Sequence, residues 1–158
     1  MADTVRERVF ANIVTSLKNI NGTGVYRNNL QNRVFRFGDA GFQEAAYPVV
    51  HVYEPTESLT WIAYANIGVI DAVAEFQIEA WAIGDPRGAT LASTKVSNLV
   101  ADIGIALLSD PTRGNDARET SLLSVESVVA IESQPAVGVR VRVRVNYRFD
   151  STDPEQRR

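Results

Sequence analysis

From Ala136 to Phe149 the chain reads AVGVRVRVRVNYRF, an almost unbroken two-residue alternation. Val137, Val139, Val141, Val143, Val145 and Tyr147 fall on one side, and Gly138, Arg140, Arg142, Arg144, Asn146 and Arg148 on the other. Successive strand side chains point to opposite faces, so the run specifies a strand with one apolar and one cationic face. At ~3.3 Å per residue such a strand reaches about 45 Å, long for a small domain. A chain carrying it must bury the valines beneath a second layer. It must also give the arginines something to meet: water, carboxylates, nucleic acid or another subunit.

Carboxylates are available on two other strand candidates. Residues 122–132 carry Ser124, Glu126 and Glu132 on their polar side, and a short turn at Gln134-Pro135-Ala136 joins them to the arginine strand. Residues 71–82 alternate as well, with Asp71, Glu75, Gln77 and Glu79 opposite Ala72, Ala74, Phe76, Ile78 and Ala80. If these strands flank the arginine strand, cross-strand ion pairs lace a solvated sheet face, each worth only ~0.2–1 kcal/mol when exposed. Two other readings remain open. The same face can form a subunit contact, because planar guanidinium groups suit interfacial ion pairs. It can also bind phosphate, although the acidic strands cancel much of its field.

The remaining elements follow from caps and periodicity. Thr4 and Glu7 have capping-box spacing, and Val9, Ile13, Leu17 and Ile20 make an apolar stripe, widened by Phe10 and Val14. A first helix is expected over 5–20, stopped by Asn21-Gly22. An asparagine-rich passage leads to a short strand at 34–37, a loop at 38–46 and a strand at 47–53 with Pro48 at its start. Residues 54–58 read as a turn, and 59–82 as two β segments broken near 66–68. Asp85-Pro86 reads as a helix start, and Val96, Leu99, Val100, Ile103 and Leu107 form its stripe down to Leu108, before Asp110-Pro111. Residues 112–120 read as a polar, mobile loop. The order implies an α+β fold: a mostly antiparallel, possibly mixed, β-sheet with two amphipathic helices packed on one face. Residues 1–150 are expected to form one domain, and 151–158 a disordered charged tail.

One stretch fits neither period. Trp61, Ile62, Tyr64, Ile67, Val69 and Ile70 do not keep to one face. Either the segment is buried on both sides, or it is an arm whose second apolar face is covered by a neighbouring protomer.

The search for chemistry yields little. His51, the only histidine, sits inside an apolar strand, where a half-buried structural role fits better than a catalytic base. No nucleophile elbow or phosphate-binding G-x-x-x-x-G-K-[ST] loop is present, and Gly22-Thr23-Gly24 follows a helix where a dinucleotide fingerprint needs a strand. Asp110, Asn115, Asp116 and Glu119 lack the spacing of a calcium loop. With no cysteine, disulfides, thiol catalysis and cysteine-ligated zinc are excluded. A net charge of -3 argues against a dedicated nucleic-acid binder. No catalytic, cofactor or metal site is therefore expected. The mixed-charge N-terminus does not read as a signal peptide, and no apolar run suits a membrane helix. Synthesis in a cytosol is the expectation.

Several segments, in their order, resemble the tail terminator (tail completion) proteins of long-tailed bacteriophages. They are the opening helix RVFANIVTSLKNI, the proline-led strand YPVVHVYEP, the acidic and aromatic strand EFQIEAWA, the long helix LVADIGIALLSDP and the basic closing strand VRVRVNYRFDSTDP. The resemblance implies a small α/β domain assembling as a ring, typically a hexamer, at the head-proximal end of the tail tube. The ring stops tube polymerisation and joins the tail to the neck. Its implied partners are copies of itself, the tail tube protein and a neck or head–tail connector protein, with DNA passing through unbound; no catalysis, cofactor or membrane is implied. From patterning alone, the candidate subunit-interface residues are Trp61, Ile62, Tyr64, Ile67, Val69, Glu75, Glu79, Arg140, Arg142 and Arg144. The rival readings are another neck or head-completion protein, and a small α+β enzyme or ligand-binding domain built on His51 and nearby carboxylates.

Overall fold

Two long strands form the centre of the sheet in the computed structural model, which describes residues 3–37, 47–64, 67–85, 90–128 and 136–158. In chain order the elements are α1 (Val5–Lys18), β1 (Val34–Arg36), β2 (Val49–Val52), β3 (Thr56–Tyr64), β4 (Ile67–Ile83), α2 (Ala92–Leu108), β5 (Glu119–Val128) and β6 (Ala136–Asp150). The six strands make one sheet in the order β1-β2-β4-β6-β5, with β3 also paired to β4. β1 and β2 run parallel; every other pairing is antiparallel. This is the α+β architecture that the element order implied.

The alternation of β4 and β6 determines the layers. Their antiparallel register places Ala74 opposite Val145, Phe76 opposite Val143 and Ile78 opposite Val141. All six are buried and share one face. Both helices cover that face. Val5, Val9, Phe10, Ile13 and Leu17 of α1 join Val96, Leu99, Ile103, Ala106 and Leu107 of α2 in one apolar core with the strands. Phe10 meets Phe76 with ring centroids 5.4 Å apart. The small alanines of β4 let the helices approach, and the larger β6 valines and Phe76 fill the space between.

Local chemistry accounts for most element ends. The backbone N–H of Glu7 donates to Thr4 Oγ1 at 3.2 Å, so Thr4 caps α1 as its spacing implied. The helix closes at Lys18, two residues before the expected end. The start of α2 is corrected: it begins at Ala92, with Leu91 as a cap that makes no side-chain bond. Asp85 instead closes the preceding loop, accepting from Lys95 Nζ at 2.5 Å while its own N–H donates to Thr90 O at 3.0 Å. The apolar positions that can anchor this helix start only at Val96, so an earlier start has nothing to pack.

The expected turn at 54–58 is also corrected. β2 and β3 both run antiparallel to β4, so the chain does not reverse between them. Only residues 53–55 interrupt the ladder, where Pro55 lacks a donor. Even there Tyr53 N donates to Gln77 O at 2.9 Å. β3 and β4 form the hairpin expected across 59–82, while residues 65–66, like the loop at 38–46 and the end of the 122–132 strand, fall outside the described residues.

Residues 151–158, read from sequence as a tail, turn back against the start of α1. Val5 N donates to Pro154 O at 2.9 Å, Arg8 Nη1 donates to Glu155 O at 3.1 Å, and Arg158 pairs with Asp150 at 2.6 Å.

Candidate functional site

The sheet face away from the helices carries the arginines, and among the described residues no layer covers it. Here the register does the chemical work. It sets Arg140 opposite Glu79, Arg142 opposite Gln77, Arg144 opposite Glu75 and Arg148 opposite Asp71. Arg140 pairs with Glu79 at 2.8 Å and Arg144 with Glu75 at 2.7 Å, while Arg148 holds Asp71 through both ends of its fork. Arg142, facing a glutamine on β4, reaches to Glu126 on β5 at 3.6 Å. Each of the four thus has a carboxylate neighbour, which gives the ion-laced solvated face among the three sequence readings its geometric basis. Unpaired phosphate-binding guanidinium groups are not what this face offers. At Asn146, opposite Val73, neither strand supplies a charge, and a shallow cleft opens there between Asp71, Arg118 and Glu119.

Glu79 is the most enclosed member of the ladder. It is buried and accepts from Arg140, from the Tyr53 hydroxyl at 3.0 Å and from Gln77 Nε2 at 3.1 Å. The Glu79 hydrogen bond raises the already high Arg140 pKa. Burial, and then that same carboxylate, pushes the Tyr53 hydroxyl up to about 12. His51 is the β2 partner of Glu79 and stacks on Phe35, with ring centroids 5.9 Å apart. It is buried, and desolvation holds its pKa below the usual histidine value although Glu79 opposes the shift. The one histidine thus stacks on an aromatic ring in a site that disfavours its charged form, beside a carboxylate that three other side chains already engage. At the far end of this face Trp81 lies flat on Gly138; a Cβ there would come within 2.7 Å of the indole ring.

The second candidate surface is the outer part of the β3–β4 hairpin. Trp61 pairs with Ile70, Ile62 with Val69, and Tyr64 with Ile67 at its end. Trp61 and Leu59 share the helix-side face with Ala72 yet lie beyond the helices, 71% and 57% exposed. Ile62 and Val69 point to the arginine side, so the mixed pattern of the stretch reflects an arm with apolar residues on both faces. The sequence-derived interface residues thus fall into two groups. The ladder residues Glu75, Glu79, Arg140, Arg142 and Arg144 share one face, and the arm residues Trp61, Ile62, Tyr64, Ile67 and Val69 lie at its end.

Three polar anchors escaped the pattern reading. Asp102, fully buried in α2, accepts from the backbone N–H groups of Arg27 and Asn28 and from Asn28 Nδ2 at 2.8 Å. It ties the asparagine-rich passage to the core. Arg113, also fully buried, donates to Thr120, Asn12, Ser16 and the Leu107 carbonyl at the end of α2. Its desolvation lowers its pKa, with Asp110 opposing. The loop expected to be mobile at 112–120 is therefore bolted to both helices. Around the start of α1, Arg6 and Arg36 share Glu54, Arg6 also pairs with Glu57, Arg36 with Glu7, and Tyr147 donates to Glu57 at 2.6 Å.

The loop carboxylates considered for a cation are engaged otherwise: Asp110 accepts from Gly114 N and Thr112, and Asp116 pairs with Arg8 at 2.8 Å. Among the described residues no group of three His, Cys, Asp or Glu side chains could hold a metal ion. None of the helices described is long and apolar enough to cross a membrane. No protein-family model matches the chain, and no curated protein matches it at a significant level.

Proposed function

We propose that this protein is a structural virion component, a tail terminator. It assembles as a ring, taken as a hexamer, on the head-proximal end of a long-tailed phage tail. There it ends polymerisation of the tail tube protein and presents a surface to a neck or connector protein. The observation that carries the proposal is the β3–β4 arm. It leaves Trp61 71% and Leu59 57% exposed and places apolar side chains on both faces. Large exposed apolar side chains of this kind suit burial against a neighbour. The segment order that resembles tail terminators supports the same reading.

The ladder suits a ring around DNA. Its arginines are matched by carboxylates, and a net charge of -3 leaves little attraction to slow a passing genome. Steeply salt-dependent DNA binding is not expected. Deletion of the gene from the phage tests the proposal. The expected lysate contains over-long tubes and tails that fail to join heads. Tails of normal length that join heads would refute it.

A further inference from the structure

The sheet ends in two long strands whose outer edges pair with nothing among the described residues: β3, nine residues, and β5, ten residues. Strand edges exposed to solvent are normally protected by lysine, proline or short length, because unpaired N–H and C=O groups recruit other strands. Neither TESLTWIAY nor ETSLLSVESV contains a lysine, arginine or proline. The only irregularity in β5 is the register shift between Leu122 and Ser124.

We propose that the outer edge of β3 in one copy pairs antiparallel with the outer edge of β5 in the next, making one continuous sheet around the assembly. The proposal rests on the ring reading above and specifies its contact.

Three observations select a second copy as the occupant. First, the directions fit. β3 runs antiparallel to β4, β4 to β6 and β6 to β5, so β3 and β5 are antiparallel to each other. Rotation about the axis of a ring preserves that relation between neighbouring edges, and a head-to-tail contact of two different edges forms a ring wherever its rotation closes.

Second, the exposed apolar residues match. Leu59 and Trp61 lie on the helix-side face of β3. On the same face at the opposite edge is Val125, 50% exposed and paired with the core residue Val141. A continuous sheet brings the first pair beside it.

Third, the offset of the two edges has the size found in closed sheets. The β3 partners on β4 centre on Asp71, whereas the β6 partners of β5 centre on Arg142, opposite Gln77. These levels are six residues apart, about 20 Å along the strands at ~3.3 Å per residue. Four strand spacings of ~4.8 Å, from β3 through β4, β6 and β5 to the next copy, span about 19 Å. Joining edges with that stagger tilts the strands by roughly 45°, close to the ~35–45° of closed barrels.

The chain has no cysteine, so cross-linking is clean. Full-length single variants carry Ser58→Cys or Thr60→Cys on β3, and Ser121→Cys or Ser124→Cys on β5, all on the arginine-side face. Each β3 variant is mixed with each β5 variant and mildly oxidised, with light scattering and circular dichroism confirming assembly and fold. The expected result is a disulfide-linked dimer in at least one mixture and in no single variant alone. Combining the successful pair in one chain should give a covalent ladder ending at the ring. A dimer formed by a β5 variant alone would show that this edge pairs with itself and overturn the proposal. So would an oligomer of unchanged mass with no mixed cross-link, which places the contact elsewhere and leaves the ring reading standing. A monomer throughout, with no cross-link, overturns the contact as well. Hydrogen exchange gives a variant-free check: the outer amides of β3 and β5 should slow on assembly, and unchanged exchange in assembled protein contradicts the pairing.

Discussion

Replacing Asp102 by alanine tests how the asparagine-rich passage is attached to the fold. The carboxylate is fully buried and accepts from Arg27 N at 3.0 Å, Asn28 N at 2.9 Å and Asn28 Nδ2 at 2.8 Å. Hydrogen bonds to a charged acceptor contribute roughly 1.5–3 kcal/mol each, and a buried donor left unmade costs about 1–3 kcal/mol. Arg27 is exposed, so part of the loop can move towards water and recover hydrogen bonds there. The net loss for Asp102→Ala is therefore set at about 2–4 kcal/mol, below the sum of the separate bonds. Asp102→Asn keeps one acceptor without its charge and should lose about 1–2 kcal/mol. With a urea slope of about 2 kcal/mol per molar, the alanine variant should lower the unfolding midpoint by about 1–2 M with the slope unchanged. Circular dichroism during urea titration measures this, and hydrogen exchange should show the Arg27 and Asn28 amides opening first. An Asp102→Ala midpoint within about 0.2 M of the parent would refute the reasoning.

Gly138→Ala should cost about 1–3 kcal/mol by overpacking, because the new methyl meets the Trp81 ring at 2.7 Å, and tryptophan fluorescence should report the displaced indole. Arg148 holds the Asp71 carboxyl below its usual range, and Thr152 with Arg158 does the same for Asp150. Carboxyls with depressed folded pKa values contribute stability above their unfolded values and lose it as pH falls through the folded ones. The urea midpoint should therefore drop below about pH 4, and Asp71→Asn should flatten part of that drop. Trp61→Ser should change monomer stability by less than about 0.5 kcal/mol, since the side chain is 71% exposed. If it anchors a subunit contact, its loss should weaken assembly by about 2 kcal/mol per contact, roughly 30-fold, by light scattering across a dilution series.

Strict alternation made the centre of the fold legible. Opposed valines and arginines on β6, with alanines and carboxylates on β4, favour a register that buries Val139, Val141, Val143 and Val145 with Ala74, Phe76, Ile78 and Ala80, and that register also builds the ladder. Helix positions followed from stripes such as Val9, Ile13 and Leu17. The start of α2 did not, because Asp85-Pro86 has the local chemistry of a cap but no apolar residue follows within reach of the core. The Glu54-Pro55 turn was misread for a related reason: proline interrupts a ladder without forcing the chain to reverse. Asp102 was hidden by its position. It sits on the buried stripe between Leu99 and Ile103, and its partners are backbone amides some 75 residues away. A carboxylate at a core position, with an unassigned run of asparagines elsewhere, was the available signal. Arg113 gave less: its burial depends on positive backbone φ angles at Arg113, Gly114 and Asn115 that fold a polar loop inward. Of the candidate interface, pattern reading isolated the arm around Trp61, whereas the β5 edge shows only once β6 has its two neighbours.

Imaging intact phage particles with the protein specifically labelled tests the proposed role most directly. The account predicts label as a single ring between the last tube layer and the neck of each particle. Label at the distal tip, along the tube, or missing from particles altogether would contradict it.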